Sequence, residues 1–114
     1  MDLAREYVER LSARIEVEAA VVVGSVARGD FNVWSDVDVI VVAEALPART
    51  PDRLALLLQD APPRVQPIGF SQSELEEAKR RSNRLVLEAI EHGVVLTGEA
   101  VLARLAVRGP TLSS

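Results

Sequence analysis

The 114-residue chain has no cysteine, one histidine, one tryptophan, one tyrosine and two phenylalanines. Without thiols there is no disulfide, no thiolate nucleophile and no cysteine-ligated zinc site. His92, the sole imidazole, leaves little room for a histidine-based metal centre or triad. Excess positive charge is also missing: the net charge is -4 and the pI about 5.0. Affinity for nucleic acid comes largely from neutralising phosphates, so direct nucleic-acid binding through a broad cationic face is not expected. No apolar run approaches the ~18 residues of a membrane span. The first residues, Met1-Asp2-Leu3-Ala4-Arg5-Glu6, are charged where a signal sequence is apolar. The expectation is a cytoplasmic protein with no membrane partner.

What is present is apolar material, 48% of the residues, enough for one core at this length and not for two. One domain over residues 1–108 and a C-terminal tail over 109–114 are expected. Leu3, Tyr7, Leu11 and Ile15 recur every four residues and predict a first helix. Ala19-Ala20-Val21-Val22-Val23, closed by Gly24, predicts a buried strand, and residues 36–42 a central strand with one wet end. Thr50, as cap, and Pro51 open a helix that stops by Ala61-Pro62-Pro63. Residues 64–70 read as a third strand, and Ser71-Gln72-Ser73-Glu74 as a capping box opening a helix that breaks near Ser82-Asn83. A helix from Leu85 to His92 ends at Gly93; Val94-Val95-Leu96 is a short edge strand, and another helix follows Gly98. The fold class is α/β, in the α+β sense of a small sheet flanked by helices.

The chemistry concentrates in Gly24-Ser25-Val26-Ala27-Arg28-Gly29 and, after a polar loop, Ser35-Asp36-Val37-Asp38. Gly24 allows a sharp turn with close backbone approach. Ser25 suits the cap of a short helix whose free N–H groups attract phosphate. Arg28 follows one helical turn later and reaches the same side. In a strand, Asp36 and Asp38 share a face at ~7 Å spacing while Val37 and Val39 enter the core. Two hard carboxylates suit Mg²⁺, which borrows its remaining ligands from water and substrate phosphate. Asp-Val-Asp-Val alone is a half-exposed strand, and Gly-Ser alone a turn. Between two apolar strands each half supplies what the other needs.

Gly24-Ser25, ten residues, then Asp36-x-Asp38, with Ala27-Arg28-Gly29 inside and Ser35 before the first aspartate, resembles the DNA polymerase β-like nucleotidyltransferase superfamily, and within it the minimal nucleotidyltransferases. Gly93-Val94-Val95-Leu96-Thr97-Gly98 is similar to that family's C-terminal element. The resemblance implies a nucleotidyltransferase fold with a small mixed sheet, and an antitoxin role beside a HEPN-domain toxin. It also implies transfer of AMP from ATP to a hydroxyl of that partner, with one or two Mg²⁺. Gly24 and Ser25 would hold the triphosphate, Arg28 would assist at phosphate, and Asp36 and Asp38 would bind metal. One position departs: active relatives carry a third acidic residue on the next core strand, where this chain has Gln66. An amide offers oxygen to a metal but accepts no proton, so general-base help worth ~10²–10⁴-fold is missing. Two rivals therefore stand beside the enzyme: an antitoxin that acts by contact alone, and a small-molecule transferase of the aminoglycoside type.

Lys79, Arg80, Arg81 and Arg84 read as a solvated helix face, with contact to RNA or an acidic partner as the alternative, and His92 as a cation at a helix C-terminus. Trp34 either stacks on a base or a partner, or closes the loop over the sheet.

Overall fold

The computed structural model describes residues 2–23 and 37–104. Within them are helices α1 (Asp2–Ser12), α2 (Thr50–Leu58), α3 (Gln72–Arg80), α4 (Arg84–His92) and α5 (Glu99–Arg104). The strands are β1 (Ala19–Val23), β2 (Val37–Val42), β3 (Val65–Phe70) and β4 (Val94–Thr97). The tail expected over 109–114 lies outside the described residues.

The sheet runs β3-β2-β1-β4. β1 is antiparallel to both its neighbours, while β2 and β3 are parallel and are joined through α2. A parallel pair needs such a crossover, because a tight hairpin returns the chain in the opposite direction. Every residue of β1 is buried, so it reads as an unbroken apolar run.

Alternation along the strands divides the core in two. Ala20, Val22, Val37, Val39, Val41 and Val65 pack against Ala4, Tyr7, Val8 and Leu11 of α1 and Leu57 of α2. On the opposite face Ala19, Val21, Val23, Ile40 and Val42 pack against Leu75 of α3, Val86 and Ala89 of α4, and Leu102 of α5. Within β2 only Asp38 is less than fully buried, and Ile40 and Val42 on the same face are sealed, in line with the expected central strand with one wet end.

The helix ends follow their local chemistry. The predicted capping box is present in both arms: Ser71 Oγ accepts from Glu74 N at 3.2 Å and Glu74 Oε1 accepts from Ser71 N at 2.8 Å. Asn83 Oδ1 accepts from Leu85 N and Val86 N, and Ser82 at φ 58° makes the break between α3 and α4. α1 stops at Ser12, short of Ile15, which packs from the turn that follows. α2 differs from expectation at its start: Arg49 holds the N-cap position and makes no side-chain cap, while Thr50 is already helical. The first turn closes instead through Arg53 N–H to the Arg49 carbonyl at 2.9 Å.

Two polar ties fasten α2. Tyr7 Oη donates to the Leu57 carbonyl at 2.7 Å inside the core, joining α1 to α2. Burial, and secondarily Asp60, push the Tyr7 phenol far above its usual pKa, so it stays a neutral donor. Arg53 donates to the Pro47 carbonyl at 2.8 Å, the Gly69 carbonyl at 3.2 Å and both carboxylate oxygens of Glu74 at 2.7 and 3.2 Å. One guanidinium thus joins α2, the 43–49 connection, β3 and the cap of α3.

Arg53→Ala should cost about 2–4 kcal/mol, because several acceptors lose their donor together; chemical denaturation of the two proteins measures it. Hydrogen bonds from Arg53 and then from the Ser71 backbone hold the Glu74 carboxyl below its usual value of 4.5. A lowered folded-state pKa means that the unfolded chain takes up the proton first, so this contribution is full above that usual value and fades as pH falls through the folded one. Glu74→Gln should flatten the acid limb of a stability-versus-pH curve; an unchanged limb would show that Arg53 gains nothing from the charge.

Candidate functional site

β1 ends and β2 begins side by side, with Val23 in register with Asp38. On the other flank Asp38 is in register with Gln66 of β3. Residues in register across a sheet point to the same face, so Val23, Asp38 and Gln66 form a row across three strands at one end of the sheet. Adjacent strands lie ~4.8 Å apart, which brings the Asp38 and Gln66 side chains within reach of one small ligand.

Exposure along that row is graded. Val23 is sealed, Asp38 is half-buried and Gln66 is exposed. Two residues further along the same face of β2, Ile40 is 1% exposed. Asp38 therefore stands at the end of the sealed run of β2 on this face, between buried Val23 and exposed Gln66. Val37 and Val39, on either side of Asp38, turn into the opposite core cluster, as the alternation predicts.

Gly24, Ser25, Arg28, Trp34 and Asp36 lie outside the described residues. The flanks of segment 24–36 are nonetheless defined: it departs from Val23 and returns at Val37, the two positions that border Asp38. Arg64 escaped the sequence reading. Half-buried and immediately before β3, it accepts a hydrogen bond on its carbonyl from Val37 N at 2.7 Å, so a guanidinium-bearing residue enters the sheet beside Asp38. The only signal for it was an arginine two positions before Gln66.

Asp38 and Gln66 offer hard oxygens, one charged and one neutral, with no soft ligand beside them. That donor chemistry fits a magnesium-like cation completed by ligands from elsewhere. Among the described residues no group of three or more His, Asp or Glu is placed to hold a metal ion. The other singled-out positions stand apart from this chemistry. Arg80 and Arg81 both pair with Glu77 on the exposed side of α3, and His92 is exposed with its Nε2 3.7 Å from Glu91. Among the described residues no helix is long and apolar enough to cross a membrane.

The family profile described as nucleotidyltransferase domain matches residues 3–96. A protein of Sulfolobus solfataricus assigned as a nucleotidyltransferase has a similar crystal structure. It is 25% identical with a TM-score of 0.60, over 82% of this chain and 76% of that one. A toxin–antitoxin crystal structure with AMP-PNP contains a chain of the same fold, 20% identical with a TM-score of 0.61, over 90% of this chain and 81% of that one. No curated protein matches the chain. With a profile spanning most of its length, and a mixed sheet that sets Asp38 at the margin of its buried face, the chain belongs to the nucleotidyltransferase domain family.

Proposed function

We propose that this protein is a minimal nucleotidyltransferase that moves AMP from Mg-ATP to a hydroxyl of a partner protein, as the antitoxin of a HEPN-type toxin. The observation that carries the reading is the Val23–Asp38–Gln66 row beside the departure and return of segment 24–36, in a chain of this family. The shared fold with a chain of the toxin–antitoxin structure holding AMP-PNP supports an adenine nucleotide and a toxin partner, while the HEPN type follows from the sequence resemblance alone. Residues 1–108 act as one unit in this reading, in the cytoplasm.

In the proposed reaction the acceptor hydroxyl oxygen attacks the α-phosphorus. The bond from that phosphorus to pyrophosphate breaks, and the hydroxyl proton leaves to a carboxylate or water. Gly24 and Ser25 hold the triphosphate, Arg28 draws on the same phosphates, and Asp36 and Asp38 are the metal ligands. Mg²⁺, when bound, supplies charge neutralisation for the transferred group and the leaving pyrophosphate. Gln66 adds a neutral oxygen on the face of Asp38 and cannot take the proton, so transfer is slow relative to a site with a carboxylate there. The same residue favours a second reading, in which the protein neutralises its toxin by contact alone and keeps the nucleotide site without turnover.

Intact-mass spectrometry separates these readings. After incubation of the chain and its co-purified partner with Mg²⁺ and ATP, the partner should gain one AMP, and the Asp36→Ala/Asp38→Ala protein should give none. An unmodified partner in an intact complex would instead support the contact-only antitoxin. Gln66→Asp should raise transfer at least ~10²-fold, the lower end of what a general base contributes. In chelator the same change sets two carboxylates on paired strand positions and should cost about 0.2–1 kcal/mol, recovered on adding Mg²⁺. A melting temperature indifferent to Mg²⁺ would rule out a cation shared by positions 38 and 66.

A further inference from the structure

At the site end of the sheet, β2 and β3 carry unequal charge. β2 brings the carboxylate of Asp38, and the β3 position in register with it brings the amide of Gln66, exposed and neutral. Immediately before β3 stands Arg64, half-buried, its carbonyl held by Val37 N–H at 2.7 Å one residue ahead of Asp38. A guanidinium stays charged at any working pH, so the start of β3 carries one positive charge and one uncharged oxygen donor. The chain has no acidic residue between Asp60 and Glu74, and these two are engaged elsewhere. Asp60 holds Arg14 at 2.6 Å beyond the end of α1. Glu74 accepts from Arg53 at both carboxylate oxygens and from the Ser71 N–H in the cap of α3. Neither flank of β3 therefore makes up for the missing negative charge.

Two divalent cations that share a phosphoryl-transfer site lie about 3.5–4 Å apart. Their repulsion at that distance is large, and it is offset by carboxylates that bridge or flank the pair. Asp36 and Asp38 together carry two negative charges, which match one divalent cation. A second cation needs a further anionic ligand from the neighbouring strand, and there it meets Gln66 with Arg64 two residues behind. We propose that this site holds a single divalent cation, on the β2 carboxylates and the nucleotide, and that the neutral amide of Gln66 excludes a second. The inference rests on the nucleotidyl-transfer reading of the site, whose metal ligands it adopts and whose cation count it fixes. Charge at position 66 is the determinant, so a carboxylate there admits the second cation and a small neutral side chain does not.

The probe is Mn²⁺, titrated into the full chain with equimolar α,β-methylene-ATP, which presents a triphosphate and cannot be cleaved at the α,β bond. Electron paramagnetic resonance counts the free ion. The unsubstituted chain should take up one equivalent, more tightly than the nucleotide alone. Gln66→Asp should take up two, and its frozen sample should show the halved hyperfine spacing of an exchange-coupled pair. Gln66→Ala should stay at one, which separates loss of the amide from gain of charge. Position 66 is exposed, and the unsubstituted chain tests the count even where a variant folds poorly. Two equivalents, or a coupled spectrum, in the unsubstituted chain would overturn the proposal and leave the transfer reading standing. A single equivalent in folded Gln66→Asp would overturn the role given to Gln66. Uptake no tighter than by the nucleotide alone, and unchanged in the Asp36→Ala/Asp38→Ala protein, would remove the proposal and the transfer reading together.

Discussion

Burial of β2 on both faces is the constraint from which the remaining geometry follows. Val37, Val39 and Val41 seat against α1 and α2, and Ile40 and Val42 against α3 and α4, so a slip of one residue would exchange the two sets and drive Asp38 into the first core cluster. Leaving a carboxylate unpaired in such a place costs far more than any contact it makes there. The packing of five apolar residues thus holds one acid at the sheet margin, where neighbouring strands set Val23 on one side and Gln66 on the other. Rigid strands are a better mount for a metal-binding oxygen than a loop, because the register that positions the oxygen is the register that buries the core.

The parallel placement of β3 depends on α2, and α2 depends on two polar anchors. Tyr7 ties it to α1 from inside the core, and Arg53 ties it to the strand edge and to the start of α3. Gly69 belongs to the same arrangement: a Cβ at that position would stand 2.8 Å from the terminal methyl carbons of Leu46 and Leu57, so a larger residue there would oblige both side chains to move. Docking of α2 brings Gln66 beside Asp38.

Much of the fold was legible because its signals are local. The four-residue recurrence of Leu3, Tyr7 and Leu11 marked α1, the β-branched run at 19–23 marked β1, and Ser71 to Glu74 marked the cap of α3 to the residue. Legibility failed where two local rules compete. Thr50 before Pro51 reads as a cap on polarity alone, yet the observed turn closes on the Arg49 carbonyl while Arg53 is drawn into its network of acceptors. Ile15 carries the period of α1, but the helix has already ended at Ser12 and the side chain joins the core from a turn. The role of Arg53 was invisible for a related reason, since the fold brings its acceptors at Pro47, Gly69 and Glu74 together and no spacing announces them.

By itself, the sequence determined the strands and helices, the placement of Asp38 at the wet end of a buried strand, and the spacing of Gly24, Ser25, Arg28 and Asp36 that resembles a nucleotidyltransferase. All of these are properties of short stretches, set by side-chain period, caps and turn residues. Tertiary structure alone decided the strand order, the parallel pairing of β2 with β3, and the adjacency of Asp38 and Gln66. Strand direction and register arise from closing long loops around a two-sided core, and that closure is rewarded only when distant apolar faces meet.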